Sequence, residues 1–122
     1  MRPHRRLLLA PLALPLALPR ASCFSGEPPA PPPVAPQTAA VTAGSTTNTF
    51  SPTTVTVARG GTVTWTIGTR PHNVAFVAAP GAPSNVPTGT NTSVSRTFTN
   101  VGTFAYVCTL HAGMVGTVNV AP

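Results

Sequence analysis

The sequence predicts an all-β fold, an antiparallel sandwich or barrel, on three observations. From about Thr38 to Pro122 the chain is rich in threonine and valine, whose branched Cβ suits a pleated strand better than a helix. Apolar and polar side chains alternate with a period of two, most clearly in Thr62-Val63-Thr64-Trp65-Thr66-Ile67, as a half-buried strand requires. Turn signals at Gly60-Gly61, Gly68 with Pro71, Pro80 to Gly89 and Asn100 to Gly102 cut the region into short runs with no helical period. Roughly 85 residues are only just enough to close such a core.

Along the chain, the first element is a leader. Residues 1–22 have a basic start with Arg2, Arg5 and Arg6, an apolar run from Leu7 to Pro19, and small residues Ala21 and Ser22, which together read as a secretory signal peptide. The run falls short of the ~20 apolar residues of a membrane span, and Pro11, Pro15 and Pro19 interrupt it. Cys23 after Ala21-Ser22 resembles the lipobox of bacterial lipoproteins, with Arg20 standing where that family carries leucine. Two outcomes are compatible with it: lipidation at Cys23, or ordinary cleavage nearby. Residues 23–37 include Glu-Pro-Pro-Ala-Pro-Pro-Pro-Val-Ala-Pro-Gln, whose prolines hold the backbone extended and remove donors, giving a semi-rigid linker. The domain proper is 38–122.

Within it, strands are expected at Thr54 to Ala58, Thr62 to Ile67, His72 to Val77, Val94 to Thr99, Thr103 to Cys108 and Gly116 to Val120. Their inward positions are Val55, Val57, Val63, Trp65, Ile67, Val74, Phe76, Phe98, Phe104, Tyr106, Val118 and Val120. There is no internal repeat. Asn91-Thr92-Ser93 matches a glycosylation acceptor by chance, given the bacterial-looking leader.

Charge at first points to a nucleic-acid binder, with 7 basic residues, one acid (Glu27) and a net charge of +6. Four of the arginines lie in the leader, however. Cleavage before Cys23 leaves Arg59, Arg70 and Arg96 against Glu27, three charges against one, or +2. The body has no contiguous basic patch, so nucleic acid is excluded as a partner.

Chemistry concentrates in Cys108-Thr109-Leu110-His111-Ala112-Gly113-Met114, a thiol, an imidazole and a thioether in one loop between two expected strands. Such a loop folds back so that the three side chains converge, which a straight strand with alternating faces does not allow. His72 opens a strand on the same face as Val74 and Phe76 and points inward at one end of the sandwich. Taken singly, each is ordinary: a structural histidine, an inert thiol, a core methionine. Taken together they are the domain's only two histidines, its only cysteine and its only methionine. An unpaired thiol in an exported protein also wants a reason, and metal ligation is one. Two imidazoles and a thiolate with a weak axial thioether are the donor set of a blue-copper electron-transfer site.

Several further motifs resemble the cupredoxins, the small blue copper proteins of plastocyanin, pseudoazurin and amicyanin type. They are Phe50-Ser51-Pro52, Val55-Thr56-Val57, Gly60-Gly61, Val63-Thr64-Trp65, His72-Asn73-Val74 and Gly102-Thr103-Phe104-Ala105-Tyr106-Val107-Cys108. The resemblance covers Asn48 to Val120, and the CxxHxxM loop has the short amicyanin length. It implies an eight-stranded Greek-key β-sandwich holding one copper, Cu(I) or Cu(II), on His72, Cys108, His111 and Met114. Asn73 would support the site by its backbone N–H to the cysteine sulfur and by a side-chain tie to Thr109. Two departures stand out. Gly68-Thr69-Arg70-Pro71 precedes His72 where the family commonly has an acid, and no Asp or Glu follows Glu27, so no acidic docking patch exists.

The function expected from this resemblance is one-electron transfer between redox proteins, without enzymatic activity. His111 would be the exit, set among Leu110, Ala112, Gly113 and Pro71 in a small apolar patch suited to transient docking, with Arg70 favouring an acidic partner. The two histidines cannot supply a multicopper oxidase, and one loop cysteine cannot supply a binuclear copper centre. Copper storage or delivery is the alternative function. The expected setting is a monomer in a bacterial periplasm or cell envelope, touching membrane only through a lipid at Cys23.

Overall fold

The computed structural model describes Pro11, residues 13–15 and residues 26–122. The remainder of the leader, with Cys23, lies outside the described residues. The chain divides into two units, Met1–Pro31 and Pro32–Pro122, and the second contains all of the regular structure among the described residues.

Nine strands form it: β1 Thr38–Ala43, β2 Phe50–Ser51, β3 Thr54–Ala58, β4 Thr62–Ile67, β5 His72–Phe76, β6 Val86–Gly89, β7 Thr92–Thr97, β8 Gly102–Val107 and β9 Val115–Ala121. They make two sheets, β2-β1-β4-β7 and β3-β9-β8-β5-β6, which enclose the core as a sandwich. The count is nine where eight were expected, because the two-residue β2 stands as a strand of its own. Three strands had no clear signal. β1 is half alanine, β2 is too short for a period, and β6 contains Pro87, which a sheet tolerates at the edge position β6 occupies. The antiparallel expectation also needs correction, since β1 runs parallel to β4 and β3 parallel to β9. The segment from Ala43 to Thr62, which includes β2 and β3, supplies the crossover a parallel pair requires.

Strand ends move for local reasons. β7 covers Thr92–Thr97 rather than 94–99 because Phe98 bonds the turn instead of the ladder: its N–H donates to Gly61 O and its carbonyl accepts from Gly60 N. β8 stops at Val107 because Cys108 N–H turns to Met114 O, 2.9 Å away. At the start of the sandwich the carbonyls of Pro36 and Gln37 accept from Ala58 N and Thr62 N.

Eleven of the twelve expected inward residues are buried, and Phe76 is half-buried against them. Trp65 is the hub, with its ring edge-on to Tyr106 at 5.4 Å and to Phe76 at 5.8 Å. Each fully buried aliphatic side chain stabilises the fold by about 1.5–3 kcal/mol relative to exposure. On the outer face of the four-stranded sheet, hydroxyls pair across strands: Thr62 with Thr97, Thr64 with Ser95, Thr66 with Ser93. Register then places the site. Ala75 pairs with Val107, so His72, at the start of β5, passes the end of β8 and meets the loop that joins β8 to β9.

Candidate metal centre

The β8–β9 loop closes on itself through three backbone bonds, Cys108 N–H to Met114 O, His111 N–H to Cys108 O and Met114 N–H to His111 O. Gly113 has φ of +79°, which a residue with a Cβ rarely adopts, and this reversal returns the chain to β9 with Met114 inward.

Three donor atoms converge there. His72 Nδ1 lies 3.8 Å and His111 Nδ1 3.5 Å from Cys108 Sγ, and all three ligating atoms fall within 4.8 Å of one another. The rings of His72 and His111 are 4.8 Å apart. Burial is graded: His72 is 0% exposed, Met114 1% and Cys108 3%, whereas His111 is half-buried. Cys108 is a free thiol. Loss of hydration first, then the charges of His72 and Arg70, hold the His111 ring below the ordinary histidine range, which favours a neutral ring with a free lone pair.

The residues present fit copper. His72 Nε2 is 2.7 Å from Gly44 O, and a carbonyl only accepts, so Nε2 carries a hydrogen and Nδ1 is the ring nitrogen turned toward the thiol. The donors are those that soft and borderline metal ions select.

Of the two supports expected from Asn73, the backbone N–H bond to the Cys108 sulfur is not found among the described residues, whereas the side-chain tie between the two ligand-bearing segments is present. Asn73 Oδ1 accepts from Thr109 N at 2.9 Å, and its Nδ2 donates to Thr109 Oγ1 at 2.7 Å and to Thr88 Oγ1 at 3.3 Å. Beside His111 in the loop, Leu110, Ala112 and Gly113 are exposed, as are Arg70 and Pro71, which precede His72. Two contributors escaped the sequence reading. Gly44 acts through its carbonyl from a loop far away in sequence, and Thr88 sits in a strand that its proline disguises as a turn; neither carries a side-chain signature.

Comparison with known proteins follows the same geometry. A family model described as copper binding proteins, plastocyanin/azurin family, matches residues 37–121. The chain is 35% identical over 88 residues to plastocyanin of Scenedesmus fuscus, covering 58% of this chain and 85% of that one. Among solved structures it is similar to a purple cupredoxin from Nitrosopumilus maritimus, at 26% identity and TM-score 0.60 over 68% of this chain and 99% of that one. A Cu(I) amicyanin mutant matches at 33% identity and TM-score 0.59, covering 69% of this chain and 82% of that one. With the His72, Cys108, His111 and Met114 pattern set in a two-sheet sandwich, the chain belongs to the plastocyanin/azurin family of copper-binding proteins and is a cupredoxin.

Proposed function

We propose that this chain is an exported one-electron carrier in which His72 Nδ1, Cys108 Sγ and His111 Nδ1 would hold one copper, with the Met114 thioether as a weaker fourth donor. The observation that carries this reading is the convergence of the three donor atoms within 4.8 Å. Bound copper supplies a centre that cycles between Cu(II) and Cu(I), one electron at a time. The protein supplies rigidity: His72 is locked by Gly44 and the Cys108 loop by Asn73, so the donor set changes little between oxidation states. His111 is the one donor of the three that reaches the surface, so electrons enter and leave along its ring. Leu110, 48% exposed, with Ala112, Gly113 and Pro71, forms the apolar contact for a brief encounter with a redox partner, and Arg70 biases that encounter toward acidic surfaces. Storage or delivery of copper would call for an exchangeable site, and three buried donors out of four oppose it.

The leader 1–22 would export the 38–122 domain to a bacterial periplasm or cell envelope, as a monomer on the 23–37 linker. Mass spectrometry of the mature protein separates a lipid on Cys23 from simple cleavage. The test of the central reading is visible absorption. Cu(II) added to the purified protein gives an intense blue or purple thiolate-to-copper band, and Cys108→Ser abolishes it while leaving the sandwich folded. A colourless adduct of the unaltered protein would sink the electron-carrier reading.

A further inference from the structure

The segment leading into His72 contains no carboxylate, yet the buried ring is held, and the group that holds it belongs to the loop between β1 and β2. That loop is itself fastened from two sides. Gly44 N–H donates to Thr49 O at 3.1 Å, and a Cβ on Gly44 would overlap Thr47 Oγ1 and lie 2.9 Å from Thr47 O. On the other side, a Cβ on Gly68 would overlap Ser45 Oγ and lie 3.1 Å from Ser45 Cβ. Thr69 N–H donates to Ser45 Oγ at 3.4 Å, and Gly68 N–H to Ala43 O at 3.4 Å. Ser45 is therefore seated in space that only glycine at position 68 leaves open, and the Gly44 carbonyl next to it is aimed at Nε2.

We propose that the Gly44 to Thr49 loop, clasped on Gly68, is the positioning device of the metal centre. It sets the tautomer and orientation of His72 before any metal arrives, and it raises the electron density of the Nδ1 donor through the Nε2–H bond to the carbonyl. Gly44, Ser45 and Gly68 are not among the converging donors; they act through His72. The positioning claim concerns the metal-free protein, whereas its effect on potential rests on the copper reading above.

Nitrogen NMR of the metal-free full chain tests the first part. His72 is expected as the Nε2–H tautomer with a slowly exchanging ring proton, and the Nδ1–H tautomer overturns the proposal whatever the variants do. Gly68→Ala drives Ser45 from its seat and speeds that exchange by about tenfold or more, as loss of one hydrogen bond implies. Gly68→Ala with Ser45→Gly moves the volume to the other side of the clasp and returns exchange toward the original rate. An unchanged rate in the single variant, or a double variant no nearer the original than the single, overturns the clasp. With copper added, the reduction potential rises in Gly68→Ala and falls back in the double variant, because a less electron-rich imidazole stabilises Cu(II) less. Equal potentials overturn the tuning. If copper does not bind the unaltered protein, the electron-carrier reading falls while the NMR result stands.

Discussion

Asn73 shows how one side chain can join two parts of a site. Three hydrogen bonds leave its amide, two to Thr109 on the Cys108 loop and one to Thr88 on β6, and no apolar residue of the same size replaces them. Asn73→Ala should destabilise the metal-free protein by about 1–3 kcal/mol, measured by denaturant unfolding, because it strands donors and acceptors that were paired. Thr109→Val should cost less, since the backbone bond to Oδ1 survives, and the two changes should be non-additive in a double-mutant cycle. Additive costs would mean that the tie carries no energy. At this scale the donors themselves were legible in the sequence, because cysteine, histidine and methionine declare their chemistry. Gly44 and Thr88 were not, since a backbone carbonyl and an ordinary hydroxyl gain their roles only from what folding brings near them.

Among the elements, β8 and β9 carry the metal end, and their contact is unusually close at one point. Tyr106 on β8 lies over Gly116 on β9, where a Cβ would fall 2.6 Å from the ring's Cε2 and closer still to the phenol end. Gly116→Ala should therefore cost about 1–3 kcal/mol as the ring is forced out of a packed core, seen as a lower denaturant midpoint with little change in slope. The ring next to it, Trp65, is 0% exposed, and its Nε1 has no hydrogen-bond partner among the described residues. Its fluorescence should peak well to the blue of free tryptophan, and a peak at the position of hydrated indole would contradict that burial. Strands with strict alternation, β4 and β9, were readable because one face is more buried than the other. β1 and β6 were obscured for separate reasons. Alanine blurs the pattern in β1, and β6 joins the sheet at an edge where a proline costs little.

For the whole molecule, charge is scarce. Among the described residues the cations are Arg59, Arg70 and Arg96, and the one acid is Glu27. Arg96 is committed to structure, its guanidinium donating to the carbonyls of Ser84, Asn85 and Ser95. Arg70, whose charge is felt at His111, is the cation at the metal end, the end at which the proposed function has a partner dock. Electron exchange with an anionic probe such as ferricyanide should slow as salt is added, and Arg70→Gln should remove most of that dependence whereas Arg59→Gln should not. Equal effects from both variants would assign the steering to net charge.

The parallel pairing of β3 with β9 bears on when the protein can first work. A strand made in the first half of the domain waits for the last one, and Cys108, His111 and Met114 precede that last strand by only a few residues. Closure is thus a late, non-local event that must meet its loop entropy before it gains packing energy, which makes folding slow relative to helical chains of this size. A nascent chain that has not yet made β9 lacks the strand that closes the donor loop, so metal capture belongs after β9 has been made. Truncation before Val115 should abolish copper retention even though every donor residue is still present.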